Sequence, residues 1–124
     1  MEIPTAEQLT RKACAPCEGG VPPLSPEEVR DFLRSVPGWT LTPDGRRIRR
    51  EWTARNFQAA IDFFNRVADL AEREGHHPDL HLTGYRNVAI EVWTHAIGGL
   101  SENDFILAAK IDRIPLATRA RAGP

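Results

Sequence analysis

Four histidines, His76, His77, His81 and His95, fall within twenty residues of a chain that has no others. Imidazole is the side chain that ordinarily titrates near neutrality, so a group of them can donate and accept protons unaided. Three uses compete for such a group. A zinc site would take neutral imidazoles, with Asp79 or Glu72 completing the shell. Adjacent His76 and His77, however, diverge to opposite sides of an extended chain, whereas a helical zinc motif sets its histidines four apart on one face. A polar turn at a helix C-terminus would simply welcome imidazolium there. A general acid/base pocket, suited to the addition or loss of water, needs histidines from separate elements to meet. No serine or cysteine is placed to make these histidines a nucleophile's base.

The elements that would bring them together follow from periodicity. Ser25-Pro26-Glu27-Glu28 is a capping box that opens a short helix carrying Val29, Phe32, Leu33 and Val36, which Pro37-Gly38 stops. Residues 39–42 alternate as a strand, Pro43-Asp44-Gly45 turns, and residues 47–53 return with Ile48 and Trp52 on one face and Arg47, Arg49 and Glu51 on the other. From residue 56 to 74 the set Phe57, Ala60, Ile61, Phe64, Val67, Ala68 and Ala71 predicts a long amphipathic helix, ended by Gly75. Residues 80–85 and 88–94 predict a second hairpin, with His77 just before one strand and His95 at the end of the other. Antiparallel pairing makes those two ends neighbours. Ser101-x-x-Asp104 caps a last helix, running to about Arg113. The order α-β-β-α-β-β-α implies an α+β two-layer sandwich, a four-stranded antiparallel sheet with helices on one face.

With 124 residues, 41% of them hydrophobic, the chain has enough apolar material for one domain with a real core. A net charge of -1, from 16 basic against 17 acidic residues, offers no field to hold nucleic acid. The arginines of the second strand therefore read as a solvated face. The chain has no apolar run of membrane-spanning length and no signal-like start, so the expectation is a cytoplasmic protein without a membrane partner. Residues 1–24 read as an irregular arm, residues 25–114 as the folded domain and residues 115–124 as a frayed tail. The arm holds both cysteines, Cys14 and Cys17, as either an inert or oxidisable pair or half of a zinc site completed across an oligomer.

The spaced pattern Glu72-x3-His76-His77-Pro78-x6-Tyr85-x9-His95-x8-Asp104 resembles the signature of the pterin-4a-carbinolamine dehydratases. Residues 94–112, THAIGGLSENDFILAAKID, resemble that family's strand-to-helix segment almost throughout, and the likeness extends over about residues 25 to 114. The resemblance implies the same sandwich fold, a homodimer or homotetramer, no metal and no organic cofactor. It implies loss of water from a 4a-hydroxytetrahydropterin, giving the quinonoid dihydropterin that is recycled. His76, His77 and His95 match the family's active-site histidines, with Glu72 and Pro78 as flanking motif positions. On this reading His76 and His95 exchange protons, His77 orients the pterin, and Glu72 and the Thr94 backbone hold its polar edge. Leu80 stands where many members carry tryptophan, which predicts a pocket without that aromatic wall. Asp104 reads chiefly as the helix cap, Tyr85 as a half-buried strand aromatic, and Trp39, Trp52 and Trp93 as core or interface. Two other functions are compatible with these residues: a non-catalytic dimerisation partner of a regulatory protein, and an enzyme on a related pterin, as in molybdopterin metabolism.

Overall fold

A computed structural model describes residues 3–15 and 22–119. The elements are α1 (Ala6–Arg11), α2 (Pro26–Leu33), β1 (Thr40–Leu41), β2 (Ile48–Thr53), α3 (Phe57–Glu74), β3 (Asp79–Thr83), β4 (Asn87–Val92) and α4 (Glu102–Ile111), with one 3-10 turn at His95–Ile97. The strands form an antiparallel sheet in the order β1-β2-β4-β3, so the two hairpins join through β2 and β4. This is the expected α+β sandwich with one added helix, α1.

Alternation along β2 and β4 separates the two faces of the sheet. Ile48, Trp52, Val88, Ile90 and Val92 turn toward the helices, while Arg49, Glu51, Glu91 and, from β3, His81 share the other face. The helix side closes over a cluster in which Trp52 meets Trp39 and Phe63 edge-on, at 5.9 and 5.3 Å between ring centroids. Edge-to-face contact suits the aromatic quadrupole and adds to the area buried. Trp39 and Trp52 are therefore core or core-packing residues, as the sequence implies.

Helix starts agree with the capping chemistry. Ser25 N–H donates to Glu28 Oε1 (2.9 Å) and Glu28 N–H donates to Ser25 Oγ (3.2 Å), so both halves of the α2 box form. Asn56 Oδ1 accepts from Ala59 N–H (2.8 Å) to open α3, and Gly75 closes it at φ 65°, in the left-handed region where glycine carries no Cβ penalty.

Three expectations need correction. The core face of α3 is Ala60, Phe63, Val67, Leu70 and Ala71, not the stripe that included Phe57 and Ala68; both of those face solvent. This helix is apolar around more than one arc, and the sheet selects the arc bearing Phe63. Tyr85 is not a half-buried strand residue: β3 ends at Thr83, and Tyr85 sits in the loop at φ 57°, 58% exposed. Finally, the irregular arm contains a helix. Thr5 and Gln8 make a full capping box for α1, and Leu9 is 0% exposed. The cause lies in α4, where every residue from Asn103 to Ala109 is buried, so its side away from the sheet also needs cover. Burying one leucine there stabilises the fold by about 2 kcal/mol. Beyond these three, the tail is not frayed throughout: Arg55 N–H donates to Ala117 O (2.8 Å) and Arg119 N–H donates to Thr53 O (2.9 Å), so the chain around Thr118 pairs beside the end of β2. Cys17 and residues 120–124 lie outside the described residues. Among the described residues no helix is long and apolar enough to cross a membrane.

Candidate active site

Gly75 lets the chain leave α3 sharply, and His76 N–H still reaches back to Ala71 O (3.2 Å). Pro78 then keeps His77 extended, because the residue before proline avoids the helical region. β3 begins at Asp79, which pairs with Glu91 of β4. The chain arriving through His76-His77 and the chain leaving through Thr94-His95 therefore stand at the same end of the two strands. Past β4, Thr94 N–H donates to Gly99 O (2.9 Å), closing a small loop in which His95 opens the 3-10 turn.

The two chains meet at Asp104. Its carboxylate is 0% exposed and lies at the start of α4. Oδ1 lies 2.6 Å from His76 Nε2, while Oδ2 accepts from the Thr94 hydroxyl (2.8 Å) and from Ser101 N–H (2.9 Å). The Thr94 and Ser101 hydroxyls are in turn 2.8 Å apart. An ionised carboxylate can only accept, so the pairing places the Nε2–H of His76 on Asp104 and turns Nδ1 away from it. The His76 side chain keeps 11% of its surface exposed, enough for one edge to meet a substrate. Asp104 is thus both the helix cap read from the sequence and the partner of a histidine. The S-x-x-D spacing revealed only the first task, since the second pairs residues 28 apart.

His95 is held differently. It is exposed, and its ring lies 4.0 Å from the Trp93 ring at an interplanar angle of 47°. Arg47 covers Trp93, its guanidinium 4.6 Å from the ring centroid, and is tied to Glu91 Oε1 (3.0 Å) and Asp79 Oδ2 (3.5 Å). Trp93, expected as core or interface, is half-buried and lies between the His95 ring and the Arg47 guanidinium. Leu80, at the predicted position of a missing aromatic, faces the helix side opposite Ile90 and is 38% exposed.

Of the remaining predicted residues, His77 and Glu72 are both exposed and make one long contact, 3.5 Å from Nε2 to Oε2. Pro78 is half-buried beside them. Thr94 has partners of its own: its N–H donates to Gly99 O, its C=O accepts from Ile97 N–H, and its hydroxyl donates to Asp104 Oδ2. His81 does not join the other histidines. It stands on the open sheet face, in a depression of about 460 Å³ that also includes Arg49, Glu51, Thr83 and Asn87 but none of His76, His77 or His95. Hydrogen bonding, rather than this depression, marks the site. Among the described residues no three His, Cys, Asp or Glu side chains are grouped as metal ligands would be.

The chain as a whole has known relatives. A family model described as pterin 4 alpha carbinolamine dehydratase matches residues 22–114. The chain is 51% identical over 109 residues to a protein of Arabidopsis thaliana named pterin-4-alpha-carbinolamine dehydratase 2, mitochondrial, covering 86% of this chain and 58% of the plant protein. It is 49% identical over 107 residues to a putative pterin-4-alpha-carbinolamine dehydratase of Rubrobacter xylanophilus, covering 86% of this chain and 98% of that one. Among solved structures, a transcriptional coactivator/pterin dehydratase from Brucella melitensis superposes with a TM-score of 0.69 at 29% identity, over 74% of this chain and 97% of its own. The chain belongs to the pterin 4 alpha carbinolamine dehydratase family, a family of hydro-lyases.

Proposed function

We propose that this protein removes water from a 4a-hydroxytetrahydropterin by histidine acid/base catalysis, as a step in recycling a tetrahydropterin. In the reaction the C4a–O bond breaks as the hydroxyl takes up a proton and leaves as water. The lone pair of the adjacent ring nitrogen forms the new C=N bond, and that nitrogen loses its proton. One proton is delivered and one removed, so two imidazoles suffice and no redox partner enters. His76 and His95 are assigned to the proton transfers and His77 to orienting the pterin, with Glu72 and Pro78 shaping the edge of its site.

The observation that carries this reading is the His76–Asp104 pair at 2.6 Å, which fixes the ring with Nε2 on the carboxylate and Nδ1 turned away, beside the strand end that carries His95. The hydroxyl of Thr94 and the amide of Ser101 complete the carboxylate's shell, so Thr94 joins the assignment as a positioning residue. A homo-oligomer belongs to the same proposal, supported by Phe57, 53% exposed, and Ala68 on the side of α3 turned away from the core. So does a cytoplasmic setting.

Stopped-flow absorbance with freshly generated 4a-hydroxytetrahydropterin tests the assignment. Dehydration is expected to be faster than the spontaneous reaction and to fall about a hundredfold or more in His76→Ala and His95→Ala, the range a positioned general acid or base supplies. Near-normal rates in both variants would sink it.

A further inference from the structure

The segment ahead of α2 reaches the two places where the His76–Asp104 pair is anchored. Ala15 N–H donates to Asn103 Oδ1 (3.0 Å) and Asn103 Nδ2 donates to Ala15 O (2.7 Å), a two-point clasp of backbone by side chain. Cys14 N–H donates to Glu74 Oε1 (2.9 Å), and its Sγ lies 3.6 Å from Asn103 O. Lys110 Nζ occupies the other oxygen of Glu74 at 2.8 Å, and Lys12 Nζ reaches Glu102 Oε2 at 2.7 Å. Glu74 is the last residue of α3, two before His76; Asn103 immediately precedes Asp104. The arm thus ties the end of α3 to the first turn of α4, with Leu9 of α1 sunk in the core behind it.

The contacts on Asn103 and Glu74 are part of the packed structure, while the Lys12–Glu102 pair lies at the surface. Asn103 is 9% exposed, and the Glu74 side chain 12%. Burial alone would raise the Glu74 carboxyl, but the hydrogen bonds from Lys110 and Cys14 N–H, with the Lys110 charge, outweigh it and hold the group below its ordinary range. Burial, then the neighbouring Glu74 charge, pushes the Cys14 thiol up to about 12, so at neutral pH it is a packing group rather than a nucleophile.

We propose that the segment from Lys12 to Ala15 positions the His76–Asp104 pair, with Glu74 and Asn103 as the residues that receive it. It lies outside residues 22–114, the part of the chain that the family model spans. A short hydrogen bond between groups from two different elements lasts only as long as the elements keep their spacing. A shift of about 1 Å at a reacting group costs up to about a hundredfold in rate. Here the spacing is fixed by the Glu74–Lys110 pair and the clasp on Asn103. This inference rests on the acid/base role assigned to His76, and its test separates the two.

In the full chain, Asn103→Ala removes both clasp bonds, while Ala15→Pro removes one from the exposed side of the clasp and leaves the core side chains intact. Both are expected to lower kcat about tenfold with KM within about twofold. Asn103→Ala should add less than about twofold in a His76→Ala background, because a residue that acts through His76 has nothing left to position there. The imidazole Nε2–H signal of His76 in proton–nitrogen NMR, protected by Asp104, should broaden or vanish in both variants, and this readout needs no substrate. With Cys17→Ser as background, labelling of Cys14 by a disulfide reagent should quicken in step. Normal kcat and an unchanged His76 signal in Ala15→Pro would overturn the proposal, as would a loss in Asn103→Ala that persists in full without His76. If His76→Ala itself kept normal activity while the NMR signal still depended on the clasp, the acid/base reading would fall and the positioning would stand.

Discussion

His76 and His95 come from opposite sides of one strand pair and are held by unlike forces. His76 is nearly enclosed and bonded to a fully buried carboxylate whose remaining valences are filled by Thr94 and Ser101. His95 is exposed and meets Trp93 in a tilted contact, 4.0 Å between ring centroids and 47° between planes, with Arg47 covering that indole. A hydrogen bond to a carboxylate fixes the direction of a ring. A tilted ring contact restrains where an imidazole sits without fixing the direction of its nitrogens. The first arrangement suits a group that must present one nitrogen in one state at every turnover. The second suits a group that must reload from water.

The largest expected effect comes from breaking the rigid half without removing its histidine. Asp104→Asn keeps the shape but offers an amide, whose N–H groups can turn the ring to the other tautomer. A fall of about a hundredfold in kcat is expected, close to the effect of His76→Ala, while His95→Ala remains additive with it. Asp104→Ala also strands the Thr94 hydroxyl and the Ser101 amide, so chemical denaturation should report a loss of about 3 kcal/mol. An Asp104→Asn enzyme with normal kcat would show that His76 needs no fixed tautomer.

A smaller effect should follow from loosening the half built on Trp93. Trp93→Leu removes the aromatic ring beside His95, and kcat is expected to drop about fivefold. Trp93→Phe keeps a ring there and should recover most of the loss. If leucine and phenylalanine behave alike, volume rather than the aromatic contact holds His95, and the contrast between the two histidines weakens.

How legible was this site in the sequence? Hydrophobic alternation and capping boxes are local signals, and they placed both hairpins, α2, α3 and α4. They also carried the neighbouring strand ends beyond which His77 and His95 lie. What failed was set by distant partners. The arc of α3 that the sheet would select depended on Phe63 and Leu70, which a stripe drawn from Phe57 did not include. Asp104 was found as a cap because that role spans three residues, while its bond to His76 spans 28. The helix in the arm had a signal in hand: Thr5-Ala6-Glu7-Gln8 is a capping box before Leu9, as clear as the one at Ser25. Pro4, Pro16 and the Gly19-Gly20 pair on either side are turn signals that mask so short a helix. An uninterrupted apolar run in α4, Phe105 to Ala109, was the second hint that something else must cover that helix.

The smallest effect concerns the support behind the support. Arg47 is tied to Glu91, which also accepts from Arg49 Nη1 at 2.6 Å. Burial alone would raise the Glu91 carboxyl, but hydrogen bonds from Arg49 and Arg47 and their charges outweigh it and hold the group below its ordinary range. The folded state therefore binds this proton less readily than the unfolded chain does. Glu91 contributes stability above the usual carboxylate range and loses that contribution as pH falls through its own, lower, range. Glu91→Gln should lower stability at pH 7 by about 1 kcal/mol and reduce the difference in Tm between pH 7 and about pH 3. Because Asp79 still holds Arg47 in that variant, kcat is expected to change by less than about twofold. A larger fall in kcat would mean that the ion pairs on the open sheet face, and not the indole alone, orient His95. The half built on Trp93 would then be as tightly specified as the half built on Asp104.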